Sequence, residues 1–154
     1  MTDFSYESVF AFLKTGFLDI PEENIYEMEN YVLKAGIRGY SNWSKSFGRG
    51  KKSLFHINET RKIFMDEIEE LSRVFQKSKA ETKEYVNAIY TFMCNHEIAY
   101  RLHEQSLLFE QHNMLREAKA YGQIYEKWIS VLDKIVELLG DEEIARDTFS
   151  QLLI

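Results

Sequence analysis

The residues with the chemistry most worth testing lie in one run: Gly36-Ile-Arg-Gly-Tyr-Ser-Asn-Trp-Ser-Lys-Ser-Phe-Gly-Arg-Gly-Lys-Lys-Ser-Leu-Phe-His56. It holds four glycines and five cations, with no carboxylate. Gly48-Arg-Gly50-Lys51-Lys52-Ser53 has the flavour of a phosphate loop. Such a loop needs Gly-x-x-x-x-Gly-Lys-Ser/Thr, so that successive backbone N–H groups wrap the phosphates. Here Lys45 stands where the first glycine belongs, Lys52 replaces the hydroxyl residue, and no apolar strand precedes the run. A nucleotide site is therefore not expected.

The histidines invite a zinc reading. His96-Glu97 begins an HExxH pattern, but its fifth position is Tyr100. His96 and His103 lie two helical turns apart, roughly 10 Å of rise, whereas zinc holds its ligands at about 2 Å. His56 and His112 have no ligand-type neighbours at useful spacing, so all four read as surface or capping histidines. Cys94 has His96 two residues on, which is a different helix face, and it reads as a buried structural thiol. Asp66, Glu67, Glu69 and Glu70 read as a solvated helix flank. No catalytic residue and no metal ligand is expected in this chain.

Binding is the chemistry that remains. Arg38, Lys45, Arg49, Lys51 and Lys52 suit a phosphate backbone, and Tyr40 and Trp43 offer flat faces for stacking on bases or for anchoring the loop. Arg61 and Lys62 carry the patch onto the following helix. The competing reading tucks Trp43 and Phe47 into the body and leaves the cations solvated; Arg38 then simply caps helix carbonyls. Docking of an acidic protein patch is a further alternative that the residues leave open.

These residues need elements to position them. The chain has 154 residues, 45% of them hydrophobic, one proline and seven glycines. Few breakers and a sizeable apolar fraction imply one helical domain with its own core. A single cysteine excludes an internal disulfide framework and suits a reducing, cytoplasmic setting. No apolar run approaches membrane-spanning length, and Met1-Thr-Asp-Phe-Ser lacks the basic start of a secretory leader. Net charge is −6, yet it is unevenly spread. Residues 37–62 hold seven cations against Glu59 alone, a local +6, while the remainder holds twelve cations against twenty-four carboxylates. A basic patch sits on an acidic body.

Apolar spacing predicts a helix at 5–15, capped by Ser5 and stopped by Gly16. A second starts at Pro21 and ends at Gly36, with Ile25, Met28, Val32 and Leu33 as its stripe. A loop follows at 37–57. Asn58 is expected to cap a helix carrying Ile63, Phe64, Ile68, Leu71 and Phe75. Ser78-Lys-Ala-Glu81 has the form of a capping box, and its helix breaks near Asn95. Leu115, Ala118, Gly122, Tyr125, Ile129, Leu132, Val136 and Leu139 alternate steps of three and four, the seam of packed helices. Gly140 stops that helix and Asp141 is expected to start another. The expected architecture is all-α, an irregular bundle of five to seven helices with one long basic loop and no strand. The apolar end, Phe149 to Ile154, suggests a piece of a longer protein.

Ser8-Val-Phe10, Leu13-Lys-Thr-Gly16, Glu29-Asn-Tyr-Val-Leu33 and Gly36-Ile-Arg-Gly39 make the stretch from Tyr6 to Trp43 resemble the AddB (RexB) family. Its members are B subunits of the bacterial ATP-dependent helicase–nuclease. Trp128, Leu138-Leu-Gly-Asp-Glu142 and Phe149 through Leu153 extend a looser match. The resemblance implies an accessory insertion within the helicase-like half of a subunit of over a thousand residues, paired with the AddA helicase subunit. The complex resects double-stranded DNA ends in recombinational repair. The family's ATP, divalent metal and iron–sulfur cluster are not expected here, since this chain lacks a Walker motif, nuclease carboxylates and cluster cysteines. The resemblance implies contact with duplex DNA, or docking within the parent protein or onto its partner without DNA contact.

Overall fold

The computed structural model describes residues 4–153; Met1–Asp3, read above for a leader, and the apolar Ile154 lie outside the described residues. The chain is all-α apart from one small two-stranded sheet, and it divides into two compact units, one up to Glu69 and the other from Glu70.

The first unit holds α1 (Tyr6–Leu13), α2 (Glu22–Ala35), α3 (Tyr40–Trp43) and α4 (Phe55–Glu67). Ser5 caps α1 as expected, its hydroxyl accepting the Ser8 N–H at 3.3 Å. Val9, Phe10 and Leu13 point inward. Pro21 stands at the N-cap of α2 with Glu22 and Glu23 in the first turn, where carboxylates complement the helix dipole. Gly36 ends α2 in the left-handed conformation (φ 64°), which glycine adopts without steric penalty. Ile25, Met28 and Val32 are buried, whereas Leu33 is exposed. Between α1 and α2, Glu29 accepts hydrogen bonds from the Tyr6 hydroxyl at 2.8 Å and Lys14 Nζ at 2.7 Å. Burial pushes the Glu29 carboxyl up, but those two donors outweigh it and leave it below the usual carboxylate range.

The second unit holds α5 (Glu69–Phe75) from its second residue on, β1 (Lys79–Glu81), α6 (Thr82–Asn95), α7 (Ile98–Gln111), α8 (Leu115–Leu139), β2 (Glu143–Ala145) and α9 (Arg146–Leu152). Helices α7 and α8 form a hairpin, and α6 also packs on α8. Ser106 donates its hydroxyl hydrogen to the Ala118 carbonyl at 2.7 Å, a close crossing that small side chains permit. Phe75, Tyr85 and Phe149 build the aromatic core, with Tyr85 and Phe149 stacked at 4.7 Å.

Several expectations need correction. Nine α-helices occur among the described residues rather than five to seven. The expected helix through Ile63 and Phe75 breaks around Ile68, and α3 arises inside the expected loop. Two strands exist where none was expected: β1 and β2 pair antiparallel with Ala80 opposite Ile144. Ser78–Glu81 is therefore not a capping box, and Asp141 starts no helix. Thr82 N–H and hydroxyl both donate to the Glu142 carbonyl, fastening α6 to the strand turn. Lys83 bridges Glu81 and Asp141, each at 2.9 Å. Phe149 is fully buried instead of forming an apolar tail, and Cys94 is exposed rather than buried.

Candidate nucleic-acid interface

The segment between α2 and α4 is a folded strap. Residues 47–50 form a tight turn, residues 52–54 a short 3-10 turn, and α4 begins at Phe55, three residues before the expected cap Asn58. Two aromatic side chains hold the strap down. Trp43 has no exposed surface and sits against Phe10, Phe47 and Phe64 at centroid distances of 6.0, 5.4 and 5.5 Å. Phe47 stacks on Tyr31 at 5.6 Å.

Two polar side chains of α4 finish the attachment. Asn58 Oδ1 accepts the Phe47 N–H at 2.7 Å, and its Nδ2 donates to the Phe47 carbonyl at 3.2 Å. Arg61 Nη1 donates to the Trp43 carbonyl at 2.8 Å, and its guanidinium lies 5.8 Å from the Phe47 ring centre, within cation–π range. Asn58 and Arg61 are three residues apart and so share one face of α4. Both clamp backbone carbonyl or amide groups that the packed aromatics would otherwise leave dry. Burial lowers the Arg61 pKa, but a guanidinium stays charged at any ordinary pH.

Beyond Phe47 the backbone makes a left-handed turn. Gly48, Arg49 and Gly50 take φ values of 58°, 56° and 72°. At Gly48 the left-handed backbone favours glycine, and a Cβ would also meet the movable end of the Leu54 side chain, 2.4 Å away at Cδ1. The Arg49 side chain is carried outward at the crest, between two glycines.

The nine residues named for nucleic-acid contact now separate. Arg38, Lys45, Arg49, Lys51 and Lys52 are exposed, and among the described residues none of them makes an ion pair. Of the nearby carboxylates, Asp66 pairs with Lys62 at 2.7 Å, and Glu59 lies 3.6 Å from His56 Nδ1. Lys62 is thus exposed but partnered. Tyr40 is half-buried, edge-on to Phe4 at 5.2 Å. Two assignments are corrected. Trp43 is an internal anchor and cannot stack on a base, because its whole surface is covered. Arg61 is a buried clamp: Nη1 holds the Trp43 carbonyl, Nε lies 3.4 Å from Asn58 Oδ1 and the guanidinium lies over the Phe47 ring, so it faces the strap's interior and not a ligand outside. Sequence reasoning missed Asn58 and Tyr31 as supports; the shared face of Asn58 and Arg61 was the available signal.

No family model matches the chain. Individual relatives do. The chain is 36% identical over 165 residues to the B subunit of the ATP-dependent helicase/deoxyribonuclease of Clostridium botulinum (strain Langeland), covering 98% of this chain and 14% of that protein. Proteins of the same name from Thermoanaerobacter sp. (strain X514) and Lachnoclostridium phytofermentans are 33% and 32% identical, over 99% and 98% of the chain and again 14% of the relative.

The chain matches a segment of AddB.

The match to AddB runs through both compact units, including the region of 60–125 that by sequence reading offers only helical character. No helix among the described residues is long and apolar enough to cross a membrane.

Proposed function

We propose that this chain is a non-catalytic helical accessory insertion of an ATP-dependent helicase–nuclease subunit. It braces the helicase-like half and holds duplex DNA while ends are resected for recombinational repair in the cytoplasm. The observation that carries the DNA contact is the set of five exposed cations, with no ion-pair partner among the described residues, displayed by a strap whose interior is locked. Sequence-independent phosphate binding needs such charges and little else. The strap also limits the ordering cost of binding, because Asn58, Arg61, Trp43 and Phe47 already fix its backbone.

Within this reading Arg38, Lys45, Arg49, Lys51 and Lys52 contact phosphates, with Arg49 at the crest, and Tyr40 contributes the exposed part of its ring. ATP, the divalent metal and the iron–sulfur cluster belong to other parts of the parent protein, and the AddA helicase subunit is the partner of the whole. The test is duplex binding by the full-length subunit carrying Lys51→Glu and Lys52→Glu. Affinity is expected to fall by at least tenfold at low salt. Unchanged affinity, with the variant still folded, would remove the strap as a DNA contact and favour docking without DNA.

A further inference from the structure

Helix α8 carries more apolar surface than its neighbours cover. At 100° per residue, Ala118, Tyr125 and Leu132 lie on the side that faces the unit's core, where Ala118 and Leu132 are buried. A second stripe runs beside it: Ile124, Trp128, Val131, Ile135 and Leu138, spaced 4-3-4-3. That spacing is the seam of one helix packed along another. Ile135 is turned in and Trp128 is half-buried, but Ile124, Val131 and Leu138 are 43%, 38% and 77% exposed. They recur every seven residues, so the open edge extends about 21 Å along the helix.

The outer border of this stripe is basic. Lys127 follows Ile124 by three residues and Lys134 follows Val131 by three. Both are exposed, and neither makes an ion pair among the described residues. No carboxylate lies four residues from either lysine; Glu137, three residues past Lys134, shares a surface groove with it on the side away from the stripe and makes no ion pair with it among the described residues. A helix laid along the stripe therefore meets apolar knobs and then two unpaired ammonium groups. An antiparallel second copy would set lysine against lysine across the edge, whereas a helix with a carboxylate border would complement it.

We infer that the Ile124–Val131–Leu138 edge of α8 seats an amphipathic helix from the same subunit, outside these 154 residues, whose apolar seam is bordered by Asp or Glu. The inference rests on the chain being one segment of a longer subunit. The matched relatives support that reading, since the chain spans only 14% of their length and leaves ample chain to supply the helix. It is independent of the DNA contact, which uses the other compact unit.

The test places the photo-crosslinking residue p-benzoylphenylalanine at position 131 or 138 of the full-length subunit and maps the products by mass spectrometry. Position 130, on the polar side of α8, is the control. The expected product is an intramolecular cross-link from 131 and 138 into one peptide outside the segment, with acidic residues at heptad spacing, and none from 130. Cross-links to a second copy or to another subunit, or no cross-link from 131 and 138, would overturn the inference. A second measurement uses Lys127→Glu with Lys134→Glu: the thermal midpoint of the full subunit is expected to drop and to recover when the mapped acidic residues are reversed to Lys. Failure to recover counts against the pairing. The intact mass of the native gene product reads the premise separately. A product of 18.3 kDa would remove the longer subunit itself, whereas a long product without the cross-link would overturn the docking alone.

Discussion

The strap between α2 and α4 and the long helix α8 present opposite kinds of surface. The strap buries its aromatic groups completely and leaves charge outside. Trp43 and Phe47 are 0% and 2% exposed, while Arg38, Lys45, Arg49, Lys51 and Lys52 face water with no ion-pair partner among the described residues. Helix α8 does the reverse and leaves Leu115 and Leu138 68% and 77% exposed. Charge held on a rigid backbone suits a polyanion, which is bound from solvent and released into it. Apolar surface suits a permanent neighbour, since exposure of that kind is costly while the partner is away. One molecule thus displays a surface fit for a transient ligand and another fit for a resident one.

The largest effects should come from removing the strap's interior. Trp43→Ala leaves a cavity among Phe10, Phe47 and Phe64, and it is expected to cost about 3–5 kcal/mol in denaturant-induced unfolding. A cost near that of an exposed substitution would show that the strap is not anchored there. Gly48→Ala forces a left-handed backbone on alanine and displaces the end of the Leu54 side chain, and it should cost roughly 1–3 kcal/mol. Gly50→Ala has the same kind of backbone but open space, so it should cost less.

Arg61→Met is a sharper probe, since it keeps much of the buried stem and removes the clamp on the Trp43 carbonyl. A loss of about 1–3 kcal/mol is expected. DNA binding should weaken only as far as the strap loosens, so raising stability by other means should restore it. If Arg61 instead touched phosphate, affinity would fall without any change in stability.

A smaller effect concerns pH. The Glu29 carboxyl is below its ordinary value in the folded state, so its contribution is present above the unfolded value and is lost as pH falls through the folded one. Stability of the protein should therefore decline on acidification below the usual carboxylate range, and Glu29→Gln should flatten that part of the profile. An unchanged profile would show that the Tyr6–Glu29–Lys14 link adds nothing.

The helices with strong apolar periodicity were legible in sequence. Ser5, Gly36 and the break at Asn95 stand where capping and breaker chemistry put them. The strands were not legible, because three residues are too few to show alternation, and Lys79–Glu81 is held by the distant Glu143–Ala145. Cys94 was misread because a free cysteine usually behaves as a small buried apolar residue, while helix rotation turns this thiol outward. At the site, charge clustering was visible from composition; Trp43 stood open between stacking and anchoring, and the role of Arg61 was not visible. A cation and an aromatic side by side in sequence look alike whether they face water or one another. Only the path of the strap shows that Arg61 Nη1 reaches the Trp43 carbonyl, eighteen residues back.

On the reading proposed above, the strap's exposed cations hold a phosphate backbone. The most direct measurement is the salt dependence of duplex affinity for the full-length subunit with Lys45, Arg49, Lys51 and Lys52 all changed to Gln. Each lost phosphate contact should reduce the slope of log affinity against log salt by about one, so a drop of about three to four is expected, with stability within about 0.5 kcal/mol of the parent. An unaltered slope in a variant of unaltered stability would contradict the account.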